Sequence, residues 1–337
     1  MLRSSVSLDA VHGCLLGGAV GDALGAPFEG LWSSSIPQTT ALLQEYEEYE
    51  GFPRGQFTDD TQLVLATVGS IVDQRAVVYQ DIANRISELW PNEIIGPGGA
   101  CTIAAMNFRR TRDWRRSGAP AGHAGNGAAM RTAAVGLVFV NDPSALPMVV
   151  ANISRITHKD PLGIAGGIAV SRASLELAIN TRIDSDALIR VIAADVAPFS
   201  EEFARAIKGL TSILNRDDDD VRLALSSSLN PSYEFDTKSI ITPYVVPTVL
   251  AALWTTLRNL DSWPNGVATA IQWGGDTDTL ASIVGSLLGS HLGWTAIPKH
   301  LVTGVRHSQD IQDLADRYHG FINHPRKTNP AEHSDQY

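Results

Sequence analysis

The chain has 337 residues, 44% hydrophobic and 18% charged, enough to bury a sizeable core in one large domain or two ordinary ones. Its formal charge of -10 argues against a general binder of nucleic-acid backbone, which displays a basic stripe and a high pI. Two isolated cysteines, Cys14 and Cys101, rule against a disulfide framework or zinc site and read as small apolar fillers in a reducing compartment.

Residues 1–7 lack an apolar core followed by a cleavage pattern, and no run of about 18 uncharged apolar residues occurs, so a soluble, cytoplasmic protein without a membrane partner is expected. Leu8, Val11, Leu15, Leu16, Ala19 and Ala23 mark one face of a first helix, which Pro27 ends. Gly17, Gly18 and Gly21 are poor helix formers, so they imply close packing of another helix or of a ligand. Glu29 follows on a loop, where a carboxylate can act as a gate or as a general acid or base; a solvated surface glutamate is the plain alternative. An irregular stretch over 31–56 carries the acidic run Glu45-Tyr46-Glu47-Glu48-Tyr49-Glu50.

Thr58-Asp59-Asp60-Thr61 then opens into an apolar run expected to be helical over 59–72, followed by helices over 79–89 and 99–110. Gly96-Pro97-Gly98-Gly99 offers a backbone cradle before the last of these. Residues 109–126 are irregular and lead through Gly122-His123-Ala124-Gly125-Asn126-Gly127 into a helix expected over 127–140. Its N-terminus would suit a phosphate, the alternative being a glycine turn capped by Asn126. Helices over 144–156 and 161–179 flank Thr157-His158-Lys159-Asp160, where His158 reads as a contact for an anion or as a satisfied polar group.

Further helices are expected over 185–194, 200–215, 219–227, 246–257, 265–273, 276–292 and 311–318. Asp217-Asp218-Asp219-Asp220 reads as a hydrated turn and helix start, since it lacks the glycine and spaced ligands of a calcium loop. With no βαβ spacing, the fold class is all-α: one compact orthogonal multi-helix bundle over 1–322, with a polar, loosely ordered tail over 323–337.

The second acidic signature, Gly274-Gly275-Asp276-Thr277-Asp278-Thr279, also opens into a helix-like run. Folded to one point, the two signatures would crowd four carboxylates at a cost of about 4 kcal/mol per close pair at an effective dielectric near 20. Hard cations such as Mg²⁺ would remove that cost, which suggests a two-metal centre. The bland alternative is helix capping, since acids in a first turn gain roughly 0.3 to 1 kcal/mol from the dipole, although each signature holds more acids than a cap requires. No Gly-x-Ser-x-Gly, phosphate-loop or His-Glu-x-x-His motif is present, which leaves carboxylate, metal and water as the candidate chemistry.

Taken in order, residues Gly13 to Gly25, Phe57-Thr58-Asp59-Asp60-Thr61, Gly125 to Arg131, Thr157-His158 and Gly274 to Thr279 resemble the ADP-ribosylglycohydrolase family over most of the chain. The resemblance implies two Mg²⁺ or Mn²⁺ ions at the base of a cleft, with Thr58, Asp59, Asp60, Asp276, Asp278 and Thr279 as ligands. Asp60 or Glu29 would handle protons, Glu29 standing where some members have a gating glutamate. Gly98, Gly99, Gly125, Asn126, Gly127 and His158 would line an ADP-ribose groove. His123 and Ala124 depart from the hydroxyl or aromatic residues of some relatives, which leaves the adenine partner open, with Tyr244 as a candidate.

The implied activity is Mg²⁺-dependent hydrolysis of the bond between ADP-ribose and a modified target. An arginine on protein comes first, and serine-linked, nucleic-acid-linked or free derivatives are the alternatives. An ADP-ribosylated protein would be the substrate and ADP-ribose the product. A protein that sequesters an ADP-ribosylating toxin, or a relative kept for structure, is the reading from another class; intact acidic signatures favour activity.

Overall fold

Helix α1 (Leu8–Gly25) starts where the Ser7 hydroxyl accepts the Ala10 amide at 3.1 Å, and it gives way to a 3₁₀ turn at Ala26–Phe28 around Pro27. The computed structural model describes residues 5–229 and 240–323, so the tail expected over 323–337 lies, from 324 onward, outside the described residues. In chain order there follow α2 (Thr39–Leu42), α3 (Asp59–Gln74), α4 (Tyr79–Glu88), α5 (Gly99–Thr111), α6 (Ala133–Gly136), α7 (Leu146–Arg155) and α8 (Pro161–Ile179). The chain continues through α9 (Ser185–Val196), α10 (Glu201–Gly209), α11 (Asp218–Ser226), α12 (Val245–Arg258), α13 (Trp263–Gln272), α14 (Thr277–Leu292), α15 (Lys299–Gly304) and α16 (Ser308–Asn323). Extended pairing among the described residues is confined to isolated bridges, in keeping with the all-α expectation.

Helix α8 is the core helix. It passes the length and hydropathy test for crossing a membrane, but 89% of that window is buried inside the protein, against α6, α7, α9, α12 and α14. Asp160 caps it by accepting the Leu162 amide, and Pro161 supplies its first residue, which is why its start was readable from sequence.

The packing that positions the site is the seam between α1 and α14. A Cβ added at Gly13 would stand 2.1 Å from Gly289 O, at Gly17 2.3 Å from Gly285 O, at Gly21 2.2 Å from Ala281 O, and at Gly25 2.4 Å from Thr277 O. The pairs step by four residues in opposite directions, so the helices run antiparallel with backbones in direct contact along one i, i+4 row. The glycines in α1 thus serve helix packing. The register also fixes a meeting point: the end of α1 lies on the start of α14, 252 residues apart in sequence, where the Thr277 hydroxyl donates to Gly25 O at 2.8 Å.

Two sequence expectations need correction. The helix expected over 127–140 shrinks to α6 and a 3₁₀ turn at Leu137–Asn141, because the Arg131 guanidinium donates to Gly127 O, the acceptor that its own backbone N–H would use in a helix. The helix expected from Asn265 starts at Trp263, because Ser262 caps it through the Asn265 amide. Helix α15, six residues long, is too short to show a period.

Candidate active site

The two acidic signatures meet. At the start of α3, the exposed amides that every helix N-terminus leaves over are satisfied by Asp22 of α1 rather than by the signature itself. Asp22 accepts from Thr58 N at 3.0 Å, Thr61 N at 3.0 Å, Thr58 Oγ1 at 2.9 Å and Thr61 Oγ1 at 2.6 Å. Neither Thr58 at the head of α3 nor Asp276 at the head of α14 makes a side-chain cap. The capping explanation of the acids therefore fails, and Asp59, Asp60, Asp276 and Asp278 are left for another purpose. Asp22 was not singled out from sequence; its one signal was a carboxylate among small apolar residues inside a helix that is buried nearly all round.

Around this scaffold the Thr279 hydroxyl donates to Asp60 Oδ2 at 3.1 Å, and the Thr58 hydroxyl lies 3.5 Å from Asp60 Oδ2 and 3.4 Å from Asp278 Oδ2. The Asn126 amide donates to Asp276 Oδ2 at 2.5 Å. Gly274 and Gly275, at φ +73 and +84, form the turn that delivers Asp276; a Cβ at Gly275 would stand 2.1 Å from Ile241 O. Their glycines answer to neighbouring backbone: Gly275 O accepts Gly30 N, and Asp276 N donates to Ile241 O.

The electrostatics of the cluster are unfavourable as it stands. Burial, reinforced by the Asp278 charge, pushes Asp59, Asp60 and Asp276 well above the carboxylate range, and pushes Asp22 up to about 7. Asp60 Oδ1 is buried and has no hydrogen-bond partner. Glu29, Asp276 and Asp278 offer oxygens within 4.8 Å of one another. The residues fit a metal: an orphaned carboxylate oxygen, acids that repel, and a donor set of carboxylates and hydroxyls suited to a hard cation. The sequence offered Glu29 as a gate or as a general acid or base; its position also makes it a candidate ligand.

The acidic field extends to the surface. Glu29 is pushed up to about 7 by partial burial, then by Asp278, Glu50 and Asp22. Tyr49 is raised by burial and by Asp22, Asp278, Glu50 and Glu29, and its buried phenolic oxygen lacks a partner. The acidic run Glu45 to Glu50 thus brings its Tyr49 and Glu50 end to bear on the cluster.

A cavity of about 150 Å³ opens over the acids. It gathers Glu29, Asp59, Asp60, Asp276, Asp278 and Thr279 with Gly98, Gly99, Gly125, Asn126, Gly127 and His158. His123, exposed, and Tyr244, half-buried and paired through its backbone with Gly125, both lie outside that lining. Cys101 borders it as a thiol, burial pushing it up to about 12, and Cys14 is buried near Ser174.

The glycines divide by cause. A Cβ at Gly127 would strike Cys101 Sγ at 2.8 Å and His158 Cε1 at 2.9 Å, so packing requires glycine there. At Gly98 and Gly99 a Cβ would meet nothing within 4 Å, and neither has positive φ. No neighbouring atom demands glycine at those two positions, so the backbone there is open to close approach from the cavity. Gly99→Ala is accordingly expected to melt no lower than the wild type, since alanine is the better helix former, while raising KM roughly tenfold. Thermal melts and steady-state kinetics check this, and an unchanged KM refutes it.

His158 is buried, with Nδ1 2.9 Å from the Thr157 hydroxyl, which in turn accepts from Arg131. Burial, then Arg131 and His123, lowers its pKa to about 3, so it contacts any ligand as a neutral ring. The folded value lies below the unfolded one near 6.5, so this contribution to stability is complete above pH 6.5 and is lost as pH falls toward 3. At pH 5 the loss amounts to about 2 kcal/mol. Denaturant titrations should show His158→Gln gaining on the wild type by about that amount between pH 7 and pH 5; parallel pH profiles would contradict a buried neutral imidazole.

Residues 3–328 match the sequence model of the ADP-ribosylglycohydrolase family. ADP-ribosylhydrolase ARH3 of Bos taurus is 24% identical over 354 residues, covering 93% of this chain and 93% of its own length. ADP-ribosylarginine hydrolase Tri1 of Pseudomonas putida (strain GB-1) is 25% identical over 325 residues, covering 93% of this chain and 79% of its own. A solved structure described as an ADP-ribosylglycohydrolase-related protein complex shares the fold, with a TM-score of 0.73 at 24% identity over 94% of this chain and 98% of that one. With nearly its whole length matched, the chain belongs to the ADP-ribosylglycohydrolase family of hydrolases.

Proposed function

We propose that this protein uses bound Mg²⁺ to hydrolyse the N-glycosidic bond between ADP-ribose and an arginine side chain of a modified protein. The observation that carries the reading is the unbroken acidity from the buried cluster to the rim, where Glu50 and Asp278 both raise Glu29. A guanidinium leaving group is cationic, so a rim of carboxylates attracts it and favours its departure in protonated form. Serine-linked ADP-ribose offers no such cation. The similarity to Tri1 of Pseudomonas putida, an ADP-ribosylarginine hydrolase, supports the same linkage.

Held by Asp59, Asp60, Asp276 and Asp278 with the Thr58 and Thr279 hydroxyls, two Mg²⁺ or Mn²⁺ ions would supply positive charge to ribose hydroxyls and acidify water. The chain's own residues do the rest. Asp22 holds Thr58 and Thr61 and so fixes the start of α3. The Asn126 amide orients Asp276. Gly98 and Gly99 admit the ligand against the backbone, and Glu29, at the rim, exchanges a proton with the attacking water or the leaving nitrogen as the anomeric bond breaks through an oxocarbenium-like transition state. Asp60, buried at 1% exposure but lining the cavity, serves as a ligand, and proton handling falls to the more exposed Glu29.

The test is a panel of arginine-linked, serine-linked, DNA-linked and free ADP-ribose derivatives, each assayed with Mg²⁺ and with chelator. The arginine-linked substrate is expected to lead by roughly tenfold or more in kcat/KM and to be left intact under chelation. A serine-linked preference of the same size overturns the linkage; turnover indifferent to chelator overturns the metal.

A further inference from the structure

A groove of about 630 Å³ shares no lining residue with the acidic cleft. It lies between the start of α4, the 3₁₀ turn Trp114–Arg116, α7 and Lys159. Its base is apolar and aromatic: the Tyr79 and Trp114 rings stand 4.7 Å apart, the Arg115 guanidinium lies 5.0 Å over the Trp114 ring, and Met148 joins them at 58% exposure. Three cations border it, Arg115, Arg155 and Lys159, and no carboxylate lines it.

None of the three takes part in an ion pair among the described residues. In a chain of net charge -10, three converging cations without carboxylate partners are the unusual feature, and their complement is an anion. An aromatic and guanidinium surface adds a stacking platform for a flat ring. The volume falls in the range of about 300 to 1,000 Å³ typical of small-molecule sites, and three cations are too few for a nucleic-acid track. We propose that this groove is a second ligand site, for a nucleoside phosphate, its base against the Trp114, Tyr79 and Met148 surface and its phosphate on Arg155 and Lys159. His158 and Lys159 are consecutive and line the cleft and the groove respectively, so one stretch of backbone borders both spaces. The proposal does not depend on the hydrolytic reading.

The probe is AMP, titrated calorimetrically in chelator-containing buffer into the wild type, Met148→Glu and Gly99→Ala. Met148 is exposed, so the glutamate is expected to fold normally, as circular dichroism will verify, and to replace the apolar surface under the base with a hydrated carboxylate while adding a negative charge to the groove that receives an anion. AMP affinity is expected to fall roughly tenfold or more in Met148→Glu, to stay unchanged in Gly99→Ala, and to be kept in Met148→Leu. Hydrolysis by Met148→Glu stays at the wild-type rate, which separates this result from any failure of the cleft. Equal affinity in wild type and Met148→Glu overturns the site, as does a loss confined to Gly99→Ala. Inorganic phosphate binding as tightly as AMP overturns the recognition of the base, and a glutamate decapeptide that displaces AMP at lower concentration reassigns the groove to a polypeptide and overturns the proposal.

Discussion

Asp278→Asn is expected to lower kcat for the arginine-linked substrate by roughly a thousandfold and, against the usual trend for a buried polar change, to raise the melting temperature of the metal-free protein. The Asp278 charge contributes to the raised pKa of Asp22, Glu29, Asp59, Asp60 and Asp276, so it is the hub of repulsion in the site. Asparagine keeps the shape and an oxygen for the Thr279 amide, which Asp278 Oδ1 accepts at 2.9 Å, while removing the charge. In chelator the variant should melt about 2 °C or more above the wild type. With Mg²⁺ the order should invert, because only the wild type gains the mass-action stabilisation, about 2.7 kcal/mol at a hundredfold excess over Kd. Scanning fluorimetry with and without Mg²⁺ reads both effects. A variant that melts lower in chelator and still responds to Mg²⁺ would sink the assignment of these acids to a cation.

Gly285→Val is expected to destabilise by about 3 kcal/mol or more, enough to remove folded protein at physiological temperature if the wild type is of ordinary stability. The new Cβ would stand 2.2 Å from Gly17 O and 2.9 Å from Gly17 C. These neighbours are backbone atoms of a helix, so the clash is relieved only by parting α1 from α14. The Trp263 indole, which donates to Gly285 O at 3.0 Å, would lose its acceptor geometry in the same movement. Gly320→Ala in α16, where nothing lies within 4 Å, is the control and should gain up to about 1 kcal/mol from helix propensity. Circular dichroism melts of the pair decide; equal melting temperatures would mean that the seam yields more than its geometry allows.

Much of the helical order was legible because the periodic runs carry their own punctuation. Asp160-Pro161 starts α8 and Gly293 ends α14 where the pattern said they should. The stretch after Asn126 was not, because a side chain, Arg131, takes over a backbone acceptor, and periodicity carries no record of such a substitution. In the site, the doubled acids and threonines of the two signatures were visible as an excess over what capping uses. Asp22 was not, because its role depends on which helix end it faces in space. For Tyr49 and Glu50 the sequence showed an acidic run in a long loop; which end of that run faces Glu29 and Asp278 depends on the fold.

The antiparallel seam also sets a timetable. Residues 8–25 leave the ribosome long before the surface they are shaped to meet, at 277–292, so the growing chain must keep α1 without its mate while the 252 residues that separate Gly25 from Thr277 are made. Contacts of such sequence separation slow folding, and a nascent polypeptide interrupted before α14 emerges has half of its acidic pocket and nothing to close it. The acidic pocket therefore stays unfinished until α14 is made, and a bound ion would tie the head of α3 to a helix synthesised more than 200 residues later.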